Sequence, residues 1–262
     1  MKQFDYTKKD IINSLKKIGL KYGDNIFIHS NIGYFGKLED ENGKEDYCKT
    51  FKDSIFDVIG INGTIIVPSF SYSFCNNQFY DKLSTKSMMG IFSEYIREQT
   101  NSFRSDDANF SVSAIGKNAK KFTDNVSVHS FGNDSFWDRF LNANGKICNF
   151  NLDSASTFIH YVEKMLKVPY RFEKPFTGWT VEEGERIQKT YFHFVYDLSK
   201  PENMPDFSKF DKKAKNSGIV VTSNLGRGQI ICISARDTYE LIKKEICEQN
   251  DFLIKGSKVE KN

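Results

Sequence analysis

The chain has 262 residues, 39% of them hydrophobic and 15% aromatic, with 37 Lys plus Arg against 34 Asp plus Glu. A net charge of +3 spread along the chain excludes the clustered basic surface of a nucleic-acid-binding protein. The 24 Phe and 12 Tyr exclude disorder, and no apolar run approaches the ~20 residues of a membrane-spanning helix.

In chain order, Thr7 caps a helix in which Ile11, Ile12, Leu15 and Ile18 recur at helical spacing, with Asp10 three residues after the cap. Its opening, MKQFDYTKKDIINSLKK, carries acids and does not read as a signal peptide. Gly23-Asp24 turns the chain into the strand NIFIHS. Asp46 to Ile59 reads as a second helix, and Asn62-Gly63 leads into TIIVPSF, a buried β-branched strand. Met88 to Thr100 is a third helix and NFSVSAIG a third strand. Asp134 to Asn142, KICNFNL and Ser154 to Lys167 continue the alternation as helix, strand and helix. After Pro169 the pattern changes to period two. RIQKTYFHFVYDL reads as a strand, GIVVTSN and QIICISA as a hairpin around Asn224 to Gly228, and Asp237 to Glu248 as the last helix. The expectation is one α/β domain over residues 1–262, with added antiparallel strands in its second half.

Only four histidines are available for chemistry. His193, in TYFHFVY, reads as structural or surface. His29 ends the first strand, where ligands gather in α/β sheets, and equally suits a loop-bonding role. His129 sits in a loop before a helix and stays open. His160, in FIHYVEK, shares a helix face with Glu163 at i+3. A carboxylate that orients an imidazole is what a general base needs, although that spacing also occurs as a solvated pair. The chain has no Gly-x-Ser-x-Gly elbow, no Walker A loop and no His-Glu-x-x-His motif. Cys48, Cys75, Cys148, Cys232 and Cys247 have neither metal-ligand spacing nor a disulfide framework, so reduced thiols in the cytoplasm and no metal are expected.

Several ordered motifs then add up. GDNIFIHSNIGYFG, INGTIIVPSFSYSF, MGIFSEYIREQ, FRSDDANFSVSAIG, SFGNDSFWDRF and FIHYVEK together resemble the aminoglycoside 3-N-acetyltransferase family, over roughly Ile11 to Val168. The resemblance implies a three-layer α/β/α sandwich around a mixed sheet, with 170–235 as an antiparallel subdomain over the acceptor site. It implies acetyl transfer from acetyl-CoA, as co-substrate, to an amino group of a sugar. His160 would be the base and Glu163 its orienting group. His29, Ser30 and Asn31, with Ser69 and Ser71, would contact the cofactor. Arg104, Asp107 and His129 would meet the acceptor, with Asp107 close to the reacting amine.

One departure stands out. Where antibiotic-modifying members carry a His-Pro-x-His run after the Arg-Ser pair, this chain has Asp106-Asp107-Ala108-Asn109. That version resembles members from surface-polysaccharide gene clusters. It makes an amino sugar of that pathway, nucleotide-linked among other forms, the first expected acceptor. Aminoglycoside resistance is the second reading and a non-catalytic glycan- or partner-binding member the third. The acyl length, N- against O-transfer and the oligomeric state, a homodimer included, stay open.

Overall fold

The computed structural model describes residues 4–182 and 184–256. Helix α1 (Lys8–Lys17) starts where the cap predicts: Thr7 Oγ1 accepts from the Asp10 N–H and Asp10 Oδ2 from the Thr7 N–H. Strand β1 (Asn25–Ser30), helix α2 (Lys44–Ile59) and strand β2 (Thr64–Pro68) follow. Next come α3 (Ile91–Arg97), the two-residue β3 (Phe103–Arg104), β4 (Val112–Gly116), α4 (Ala119–Thr123) and α5 (Phe136–Asn142). The second half contains β5 (Lys146–Phe150), α6 (Phe158–Met165), β6 (Arg171–Glu182) and β7 (Glu185–Tyr196). It closes with α7 (Ser208–Asn216), β8 (Val221–Leu225), β9 (Gly228–Ser234) and α8 (Ala235–Glu248).

Seven strands form one mixed sheet in the order β3-β4-β2-β1-β5-β9-β8. The central β2, β1 and β5 are parallel, and the flanking strands on both sides run antiparallel. Strand alternation divides the core into two layers. Ile26, Ile28, Ile65 and Val67 face α1, α2 and α3, with Phe51 and Phe92. Phe27, Ile66 and Ile147 face α4 to α8, with Trp137, Phe140 and Phe158. The result is the expected α/β/α sandwich. Because the chain leaves β1 toward β2 on one side and later adds β5 on the other, the carboxyl ends of β1 and β5 border a switch-point crevice.

The stretch 170–235 is divided between two sheets. β6 and β7 pair over their full length as a separate two-stranded sheet, whereas β8 and β9 extend the main one. β6 has no apolar alternation to reveal it: RFEKPFTGWTVE is exposed or half-buried along most of both faces. β7 docks on the loop before α5, where Phe192 N–H donates to Val128 O and Ser130 N–H to Phe192 O. Helix α6 begins four residues later than its composition suggests. Ser154 N–H donates to Asp211 Oδ1 and Asn149 Nδ2 to Ala155 O, which holds 154–156 in an irregular clamp. Among the described residues, no helix is long and apolar enough to cross a membrane.

Candidate active site

His160 and Glu163 project from one face of α6 beside the open end of the β6–β7 hairpin. Glu163 is fully buried, unusual for a carboxylate, and its burial is explained by its partners. His160 Nδ1 lies 3.1 Å from Glu163 Oε2, and Tyr196 OH donates to both carboxylate oxygens at 3.1 and 3.2 Å. Arg171 Nη1 donates to Glu163 Oε2 as well, and Nη2 to the Phe194 carbonyl. Arg171 and Tyr196 face each other across the hairpin, with the guanidinium carbon 4.1 Å from the centre of the Tyr196 ring.

Local sequence brings Arg171 back to the helix it follows. Lys167 adopts φ 53° after α6, and Val168 N–H donates to Glu163 O, a left-handed C-terminal closure. The chain therefore reverses within a few residues and begins β6 at Arg171. The VPYRF run carries this signal, but nothing in its spacing tells which side chain the arginine meets.

The electrostatics favour a neutral imidazole and an ionised carboxylate. Burial and then the Arg171 charge push His160 below the ordinary imidazole value, against the opposing pull of Glu163. Burial works to raise the Glu163 carboxyl, but His160 and Arg171 outweigh it and hold it below the usual range. The imidazole also packs edge-on against Phe131 and Tyr196 at 5.5 and 5.9 Å between ring centres.

His29, at the end of β1, has Nε2 3.3 Å from Thr157 Oγ1, the N-cap residue of the helix that carries His160. Burial pushes its pKa down to about 4. Ser30 Oγ next to it is buried with no hydrogen-bond partner among the described residues. Asn31 N–H donates to Phe150 O, tying this turn to the end of β5. Beside it opens a groove of about 750 Å³, lined by Tyr34, Asn151, Asp153, Arg227 and Gln229 among others.

The remaining expected contacts point elsewhere. Ser69 Oγ donates to Ser113 Oγ at 2.6 Å and Ser71 Oγ to Ala108 O at 2.8 Å, both inside the fold. Arg104 is buried and spends its guanidinium on Ser111 Oγ and the carbonyls of Ser69, Thr85 and Lys82. Asp107 is buried too, away from the dyad. Its carboxylate accepts from the Asn109 and Phe110 N–H groups and from Ser130 Oγ, and lies 3.7 Å from His193 Nε2. His193 is buried, with Asn109 Nδ2 at 3.1 Å and Cys75 Sγ at 4.0 Å. Burial and then Asp107 push the Cys75 thiol up to about 11, so it stays neutral. Phe110 and Phe131 separate this second histidine cluster from His160. His129 stacks on Phe192 at 4.7 Å, with Nδ1 2.9 Å from Glu173 Oε2, on a groove of about 810 Å³ that Lys164 and Arg171 also line.

The sequence profile of the family described as aminoglycoside 3-N-acetyltransferase matches residues 27–246. The chain belongs to the aminoglycoside 3-N-acetyltransferase family, a family of acyltransferases. Among its relatives, the aminoglycoside N(3)-acetyltransferase III of a Salmonella species is 23% identical over 234 residues, 77% of each chain. Solved neighbours include AAC-IIIb in binary complex with CoASH, with a TM-score of 0.76 and 18% identity over 91% of this chain and 97% of that one. AAC-VIa bound to sisomicin gives 0.78 and 20%, over 93% and 98%. At these identities the structural likeness speaks for the acetyltransferase fold, and the dyad geometry is this chain's own.

Proposed function

We propose that the chain is an acetyl-CoA-dependent N-acetyltransferase that acts on an amino group of an aminoglycoside. The observation that carries this reading is the His160–Glu163 pair, a neutral imidazole against a buried carboxylate, in a chain of this family. The CoASH and sisomicin complexes of the two neighbours support a thioester donor and an aminoglycoside acceptor.

In this reading the amine nitrogen attacks the thioester carbonyl. The C–N bond forms, the C–S bond breaks and CoA leaves as its thiolate, while the amine proton passes to His160 Nε2. Glu163 orients the ring through Nδ1–H, and Tyr196 and Arg171 keep Glu163 ionised and fixed. Alignment of the two substrates supplies the larger part of the rate, up to ~7–11 kcal/mol of barrier. Ser30, with its unpartnered hydroxyl, and the His29–Asn31 turn fit the pantetheine arm, and Arg227 in the adjoining groove fits a phosphate. Ser69, Ser71 and Arg104 hold loops rather than ligand, since their polar atoms already have partners. Asp107 fixes the loop that carries Ser130 and Phe131 against His160.

A second acceptor class, a nucleotide-linked amino sugar of surface-polysaccharide synthesis, rests on Asp106-Asp107-Ala108-Asn109 standing where drug-modifying members carry His-Pro-x-His. The two are separated by offering purified protein acetyl-CoA with sisomicin or with a nucleotide-linked amino sugar. Thiol release and product mass are the readouts. Acetylation of sisomicin is expected. Transfer to the nucleotide-linked sugar alone would shift the acceptor to the second class, and no transfer to either would end the catalytic reading.

A further inference from the structure

His160 Nδ1 has two partners that make incompatible demands on it. Glu163 Oε2, at 3.1 Å, can only accept, so Nδ1 must carry the proton to bond it. Arg171 Nη1, at 2.7 Å, can only donate, so Nδ1 must offer a lone pair. A neutral imidazole satisfies one at a time. The choice has a catalytic consequence, because the second ring nitrogen takes the opposite role. With Nδ1–H on Glu163, Nε2 is a base. With Nδ1 accepting from Arg171, Nε2–H is a donor and takes no proton.

We propose that Arg171 is a positioning residue that sets which ring nitrogen of His160 carries the proton. It holds the resting imidazole in the Nε2–H form, and the base-competent form appears when Nη1 releases Nδ1 to Glu163. The geometry gives Arg171 the stronger claim at rest. Nη1 has two hydrogens, enough to serve Glu163 Oε2 and His160 Nδ1 together. The guanidinium is itself held in place, by the Phe194 carbonyl and by the faces of Phe194 and Tyr196. Nη1 can withdraw from Nδ1 and keep its bond to Glu163, so the switch costs no buried ion pair.

The groups that face the ring are Glu163 from α6, Arg171 from β6 and Tyr196 from β7, with Phe131 and Phe207 completing its surroundings. Glu163 favours the imidazolium and Arg171 disfavours it, so their removal has opposite effects. The inference rests on the reading of His160 as the base, but its first test does not depend on turnover.

Ring-nitrogen NMR of 15N-histidine-labelled protein, with four histidines to assign, reads the tautomer directly. The wild type is expected to carry the His160 proton on Nε2, and Arg171→Met to carry it on Nδ1, with Glu163 as the one remaining partner. A wild-type proton on Nδ1 overturns the proposal, as does the same tautomer in both proteins. If Arg171→Met fails to fold, the wild-type spectrum alone decides. The pH–rate profile adds a kinetic readout. Its ascending limb, where the base loses its proton, is expected to move up in Arg171→Met and down in Glu163→Gln. An equal loss at every pH with unmoved limbs would mean that Arg171 only supports the fold. Full activity in His160→Ala would refute the base and leave the tautomer result standing.

Discussion

Glu163 is the residue on which fold and site both depend, and Glu163→Leu tests this. Leucine fills much of the glutamate volume, so the change is mainly electrical: it leaves the Arg171 guanidinium buried against Tyr196 and Phe194 with no counter-charge. Removal of one partner from a buried pair costs about 3–5 kcal/mol. For a chain near this length, 1 kcal/mol moves Tm by about 2–4 °C, which puts the expected loss at roughly 6–20 °C. Thermal unfolding followed by circular dichroism measures it. The double variant Glu163→Leu/Arg171→Met, with neither charge present, should regain more than half of that loss, because an apolar replacement of a whole buried pair is often neutral. The acid side carries the same signature. The Glu163 carboxyl is held below its unfolded value, so its stabilisation is present above the ordinary carboxylate pKa and disappears as pH falls through the folded one. A Tm loss under about 2 °C in the single variant, or no recovery in the double, would refute the claim that Arg171 depends on this carboxylate.

Three further outcomes follow from the same geometry. His160→Ala should reduce turnover at least ~100-fold with little change in Tm, measured by CoA release; near-normal turnover would place the base elsewhere. Ser30→Ala should leave the unfolding free energy within about 1 kcal/mol of wild type, since its hydroxyl has no partner to lose. It should raise KM for acetyl-CoA about 2- to 12-fold, the worth of one hydrogen bond; a marked loss of stability would show a partner inside the fold. His29 has its folded pKa pushed down to about 4, so its contribution to stability is complete above the unfolded value of ~6.5 and falls away as pH drops from there toward 4. Unfolding midpoints measured across that interval should slope down in wild type and less steeply in His29→Gln, with His160 and, toward pH 4, Glu163 contributing to the remainder; parallel slopes would contradict a neutral His29.

The alternating pattern of apolar runs made the central sandwich legible because each strand there is buried on both faces and each helix has one apolar side. β1 is delimited to the residue by Gly23-Asp24 before it and the Asn31 turn after it. The hairpin strand β6 escaped the same reading for a physical reason. Apart from one bridge to Tyr80 it pairs with β7 alone and lies largely in solvent, so little imposes period two on its side chains. Helix α7 is hidden in a similar way, with Phe210 and Ala214 its only buried residues.

The site divides along the same line between local and non-local information. His160 and Glu163 are three residues apart on one helix, a relation that spacing states outright. Arg171 and Tyr196 reach Glu163 only because β6 and β7 pair in one register, which makes them direct opposites at the open end of the hairpin. No pattern inside either strand encodes that register, and Arg171 meets His160 only after the reversal at Lys167. The buried His193 shows the converse. Its strand alternation is plain, but Asp107, Asn109 and Cys75, which surround it, come from two distant loops. Sequence therefore names the pair proposed as base and orienting acid, whereas Arg171, proposed to set the position of the imidazole proton, is brought to that pair by tertiary structure.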